Sequence, residues 1–174
     1  MKKLLSLGLA VLTFSACAGT VQRDFLAEEY RTEVVRLPYS MSRFKIADKR
    51  AATPGLENLV ETPLAGADEG LIKSELAQYF SDGKPGAAAD VELLEGREQL
   101  ENLFSGRKVT VKARIQVTLT DASSGAGLYH ATGESSLFFQ SNGLSDEFAK
   151  QVYDRALKIA VFQAAQALKA GSKP

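Results

Sequence analysis

A chain of 174 residues with 21 basic and 21 acidic side chains has no net charge to draw it to nucleic acid or to an anionic surface. Its single cysteine excludes an internal disulfide framework, and its single histidine excludes a histidine-rich metal set. With 45% hydrophobic residues, the length fits one domain that can bury a core of its own.

Lys2 and Lys3 precede an apolar run from Leu4 to Phe14. A positive start followed by about eleven mainly apolar residues has the plan of a secretory signal peptide. The run is well short of the roughly 20 residues that cross a bilayer as a helix. No later segment reaches that length without charges, so no transmembrane helix is expected. The run ends at Phe14-Ser15-Ala16-Cys17. Small residues just before a cysteine resemble the lipobox of bacterial lipoproteins, which has leucine more often where this chain has Phe14. The resemblance implies cleavage before Cys17 and acylation of its thiol, with residues 1–16 removed as signal. Two alternatives stand beside it. Ala16-Cys17-Ala18 also satisfies the small-x-small rule of ordinary signal peptidase, which would free the domain. Cys17 would otherwise be half of an intermolecular disulfide. The anchor is favoured, because a lone cysteine at a signal boundary has no internal thiol to meet.

Acyl chains at about 0.8 kcal/mol per buried methylene would make such an anchor effectively permanent. Ala18 follows the cysteine, not Asp. In lipoproteins that implies no inner-membrane retention and places the chain on the periplasmic face of the outer membrane. The mature chain would have 174 − 16 = 158 residues, with 21 − 2 = 19 basic against 21 acidic side chains.

Residues 17–42 have no sustained period and are expected to form a lipid-anchored tether, with residues 43–170 as a single domain. Within the tether, Phe25-Leu26 and Glu28-Glu29 would allow a short helix, and Thr32 to Leu37 the start of a strand. Ser42 to Ala47 alternates, with Phe44 and Ile46 on one face and Arg43 and Lys45 on the other, which predicts the first strand. Residues 49–67 hold Thr53-Pro54-Gly55 and Thr62-Pro63 and predict a long loop, a place to look for partner contacts. Asp68-Glu69 open a helix whose first turn favours carboxylates, and helix capping is a better account of them than acid–base chemistry. Leu71, Ile72, Leu76, Tyr79 and Phe80 form its apolar face, and Asp82-Gly83 with Lys84-Pro85-Gly86 end it.

Residues 87–94 alternate as a second, half-buried strand. Leu100, Leu103 and Phe104 have a spacing that favours a short helix over 96–105, with a bent extension of the strand as the alternative. Val109, Val111, Ala113, Ile115, Val117 and Leu119 then alternate strictly with polar residues, as in an antiparallel strand with one face covered. Asp121 to Gly125 is a hairpin turn. Leu128 to Gln140 returns, and parity requires a bulge near Gly127 to pair the inward faces and set Arg114 or Lys112 opposite Glu134. Ser145 caps a last helix, with Phe148, Val152, Ala156, Ile159, Ala160 and Ala167 as its apolar stripe.

This order predicts a two-layer α+β domain: a mainly antiparallel sheet of about four strands with two helices on one face. Element order, size and lipobox together loosely resemble small α/β outer-membrane accessory lipoproteins of the lipopolysaccharide-transport or penicillin-binding-protein-activator type. That resemblance implies a non-enzymatic accessory or assembly subunit that binds another envelope protein, and it transfers no residue beyond Cys17. Arg107, Lys108, Lys112 and Arg114 form a basic group for a partner, with a glycan or glycolipid as the alternative ligand. A solvated face balanced by Glu134, Asp90 and Glu92 is the plainer account of the same charges. His130 stands alone on that face, which is poor provision for a metal or a general base. Gly125-Ala126-Gly127 leads into a strand, not a helix, so it is no phosphate loop. No cofactor, metal, catalytic set or nucleic-acid partner is expected.

Overall fold

The computed structural model describes residues 31, 33–50, 59–61, 66–82, 84–103, 106–141 and 146–171. The signal at 1–16, Cys17, the short helix near Phe25 and the cap at Ser145 lie outside the described residues. Seven elements follow in chain order: β1 (Ser40–Asp48), β2 (Leu59–Glu61), α1 (Gly66–Ala77), β3 (Gly86–Leu103), β4 (Gly106–Asp121), β5 (Gly127–Ser141) and α2 (Asp146–Gly171). The sheet runs β1-β3-β4-β5, with β2 paired to β3. The fold is the α+β arrangement expected from the sequence. β1 and β3 are parallel, so the chain must cross over between them, and α1 lies in that crossover. The β2–β3, β3–β4 and β4–β5 pairs are antiparallel.

Inward faces and both helices make one core. Val91, Leu93, Val111, Ile115, Val117 and Leu119 meet Ile72 and Leu76 of α1 and Val152, Leu157, Val161 and Leu168 of α2, all buried. Small residues let α2 sit low on the sheet. A Cβ on Gly133 of β5 would stand 1.8 Å from the carbonyl oxygen of Ala160 and 2.6 Å from the amide of Ala164. Ser135, the next inward residue, donates to the Ala156 carbonyl at 2.7 Å. The buried stripe of α2 is wider than periodicity against a sheet predicts. Tyr153, Phe162, Ala164 and Ala165 are also buried, while Ala167 is exposed, because α1 covers a second side of the helix.

Three expectations are corrected. Of the expected helix over 96–105, the described residues 96–103 are strand: β3 continues to Leu103 and pairs with β4 throughout, with β2 on its other flank at Gln99, Glu98 and Arg97. Ladder bonds on both flanks outweigh three residues at helical spacing. The loop expected over 49–67 contains β2 and the start of α1; a three-residue strand is too short to show a period. The packed chain also begins before residue 43. Val35 and Leu37 are buried, Leu37 N–H donates to the Tyr79 carbonyl at 2.7 Å, and Ser81 N–H donates to the Tyr39 carbonyl at 2.8 Å. Arg31 bonds both oxygens of the buried Glu75 at 2.9 and 3.0 Å, so part of the stretch read as tether is built into the domain.

A second polar cluster lies where β1 and the β3 bulge meet α2. Arg50 is paired with Asp48 and reaches the Gly96 carbonyl at 3.4 Å. A Cβ on Gly96 would come within 2.9 Å of the Tyr153 hydroxyl. Burial first, then the charge of Asp68, pushes the Tyr153 hydroxyl from 10.0 up to about 12, against the opposing effect of Arg50. The folded chain thus holds this proton more tightly than the unfolded one. The resulting stability is complete below about pH 10 and is lost as pH rises toward about 12, on the order of 2–3 kcal/mol. Urea midpoints should fall between pH 9 and pH 11.5 by more in the native chain than in Tyr153→Phe.

Candidate functional site

Strict alternation on β4 sends Val111, Ala113, Ile115, Val117 and Leu119 into the core and leaves Lys112 and Arg114 exposed on the outer face. They are two residues apart on one face, about 7 Å along the strand. The register of β3 brings them company. Leu93 lies opposite Ile115, but Glu95 lies opposite Arg114, because Leu94 is the extra residue of a bulge. Without that extra residue Glu95 would face the core and Gly96 the solvent; with it, Glu95 and Arg97 join the outer face. On the other flank the bulge expected near Gly127 is at Leu128: Leu119 pairs with Tyr129 and Thr120 with Gly127. Val117 thereby meets Ala131, and Arg114 meets Glu134. The turn before it is built by Asp121, whose carboxylate accepts from the Ser123 and Ser124 hydroxyls and amides. Those bonds, that from the Ser123 hydroxyl foremost, hold Asp121 well below the usual carboxylate range. Gly125 supplies the positive φ, 72°.

The basic group expected from sequence is therefore redrawn. Lys112 and Arg114 stand together. Lys108 shares their face but lies four residues away, about 13 Å, opposite Glu101 and Gln140. Arg107 pairs with Asn102 and Ser141 in the ladder, and its side chain lies outside the described residues. Arg97 joins Lys112 and Arg114. The sequence signal for Arg97 was hidden by the bulge, since simple alternation from Val91 and Leu93 carries it to the inward face. The expected counter-charges are distributed strand by strand. Arg114 approaches Glu134 at 3.9 Å, Asp90 faces Arg43 of β1 at 4.0 Å, and Glu92 accepts from Gln116 at 3.2 Å. Arg97 pairs with Glu95. Lys112 has no ion pair among the described residues.

A groove of about 560 Å³ opens over this group and passes the edge of β5 to α2. Arg97, Lys112 and Arg114 line it from the outer face with Glu95 and Glu134, and Leu137, Ile159 and Gln163 line it beside α2. Its charge is three cations less two carboxylates, 3 − 2 = +1. The groove combines a cationic wall, an apolar wall and strand backbone, which is equipment for binding. His130 stands beside Thr118 at 3.3 Å, and no group of three or more metal-ligating side chains occurs among the described residues.

No family model matches the chain, and no curated protein matches its sequence. Among solved structures it is similar to a protein of Caulobacter crescentus CB15 provisionally named a lipoprotein, at 16% identity and a TM-score of 0.42, over 62% of this chain and 81% of that one. A Xanthomonas campestris protein matches at 10% identity and a TM-score of 0.42, over 80% and 91%. A minor lipoprotein of Acinetobacter baumannii matches at 13% identity and a TM-score of 0.36, over 76% and 91%. Likeness of this degree carries no functional argument. No helix of the described residues is long and apolar enough to cross a membrane.

Proposed function

We propose that this chain is a lipid-anchored envelope protein, a non-enzymatic accessory or assembly subunit that binds another envelope protein. The observation that carries the reading is Phe14-Ser15-Ala16-Cys17 at the end of a complete signal pattern. It assigns Cys17 as the acylated residue, and Ala18 after it favours the periplasmic face of the outer membrane. The domain behind the anchor has a place to bind in the +1 groove, with Lys112 unpaired among the described residues.

Mass spectrometry of the mature N-terminus, joined to membrane fractionation, tests the anchor. The expected product begins at acylated Cys17 and sediments with membranes, and Cys17→Ala leaves the chain unacylated. A soluble product starting at Ala18 or later overturns it. A pull-down from detergent-solubilised membranes tests the subunit role, and recovery of no stoichiometric partner under several mild conditions removes it. The second reading, glycan or glycolipid binding, draws on the same three cations. Charge reversal at Lys112 and Arg114 should then abolish ligand binding; unchanged binding ends that reading.

A further inference from the structure

β5 is one of the two terminal strands of the β1-β3-β4-β5 order and runs for 15 residues. The N–H of Glu134 does not face β4; it donates to the side-chain oxygen of Gln163 on α2 at 3.2 Å. In an antiparallel ladder the groups that turn outward recur at every second residue, so Thr132, Ser136 and Phe138 also present backbone N–H and C=O to the open side. Among the described residues nothing bonds those outward amides. Natural edge strands are blunted by proline, charged side chains, bulges or a covering element; the one charge here between Tyr129 and Phe139 is Glu134, which faces Arg114. Between Tyr129 and Phe139 there is no proline, no lysine and no bulge. The cover shown there is Gln163, at one amide.

We infer that the open edge of β5 receives an extended segment of a partner envelope protein, added as a further strand, in which apolar and acidic residues alternate. This rests on the accessory reading above and names its surface and its chemistry. A strand beside residues 132–138 points successive side chains to opposite sides. One side meets Leu137 and Ile159, half-buried apolar residues along the groove; the other meets the cationic wall where Lys112 is unpaired. Gln163 holds the place of one incoming carbonyl at Glu134. A second copy of this chain fits less well. The outward residues of β5 from Thr132 to Phe138 include one acid, Glu134, which already faces Arg114.

The test compares the full acylated chain with Ser136→Pro and Lys112→Glu. Proline at 136 removes an outward amide and leaves the ladder to β4 intact, so its unfolding midpoint should stay within a few degrees of the native value. In pull-downs, Ser136→Pro should recover the partner at least tenfold less well, and Lys112→Glu should also lose it. A synthetic peptide alternating valine and glutamate should compete for the site, and the same peptide N-methylated along one edge should not. Equal recovery by a folded Ser136→Pro chain overturns the strand-addition proposal and leaves the accessory reading standing. So does equal competition by the N-methylated peptide, dimerisation through β5, or binding to anionic vesicles with no competition by either peptide. Recovery of no partner by the native chain removes the accessory reading itself, and this inference with it.

Discussion

Replacing Gly133 with alanine is expected to lower stability by about 3 kcal/mol, the upper part of the usual range for overpacking. For a domain of this size that is a fall of roughly 6–12 °C in the unfolding midpoint. The cause is specific. The added carbon would stand 1.8 Å from the Ala160 carbonyl oxygen and 2.6 Å from the Ala164 amide, which are backbone atoms that no rotamer change can move. Relief requires α2 to lift from β5, which also strains the bond from Ser135 to the Ala156 carbonyl. Thermal melts with two controls check this. Gly70→Ala lies on α1 with nothing near its new carbon and should be neutral or stabilising by up to about 1 kcal/mol. Ala160→Gly should not rescue Gly133→Ala, because the obstacle is the carbonyl of residue 160. Full rescue would show that the contact lies in the side chain.

Arg31→Ala should cost about 3 kcal/mol, the lower end for breaking a buried ion pair by removing one partner. Glu75 is only 2% exposed, and the substitution removes the cation bonded to both of its oxygens while the Tyr79 hydroxyl goes on donating to it. The lower end applies because Arg31 itself is 28% exposed and has already kept part of its hydration. Substituting Glu75→Gln in the same chain should recover part of the loss, since a buried neutral amide costs less than a buried carboxylate that has lost the Arg31 guanidinium. Arg31 leads directly into the segment that buries Val35 and Leu37. Hydrogen exchange should therefore show the Leu37 amide, which donates to the Tyr79 carbonyl, losing protection in Arg31→Ala before β4 does. Uniform loss across the domain would place the effect on global stability alone.

These two sites differ in how far the sequence exposes them. Gly133 sits in a strand whose alternation is plain, yet nothing local says that a helix backbone will lie against it. Glu75 falls between Ile72 and Leu76 on the apolar face of α1, and its counter-ion is 44 positions away. The outer-face group shows the same limit. Lys112 and Arg114 were legible because β4 is unbroken in its period. Arg97 was not, because one extra residue at Leu94 reverses the parity of everything after it. The bulge at Leu128 could be foreseen only because both strands of that hairpin alternate and the turn between them is short.

By itself the sequence determined the export signal pattern ending at Cys17, the α+β class, the long hairpin of β4 and β5, the turn at Asp121 and part of the apolar face of each helix. Each of these is written in neighbours within a few residues, where side-chain period and turn chemistry act directly. The tertiary structure alone decided that residues 33–39 belong to the domain, that β3 runs straight through a stretch with helical spacing, and that α2 is covered on two sides. It also decided which cations stand together. Those outcomes depend on ladder bonds, ion pairs and backbone contacts between segments far apart in the chain, whose energies no local pattern records.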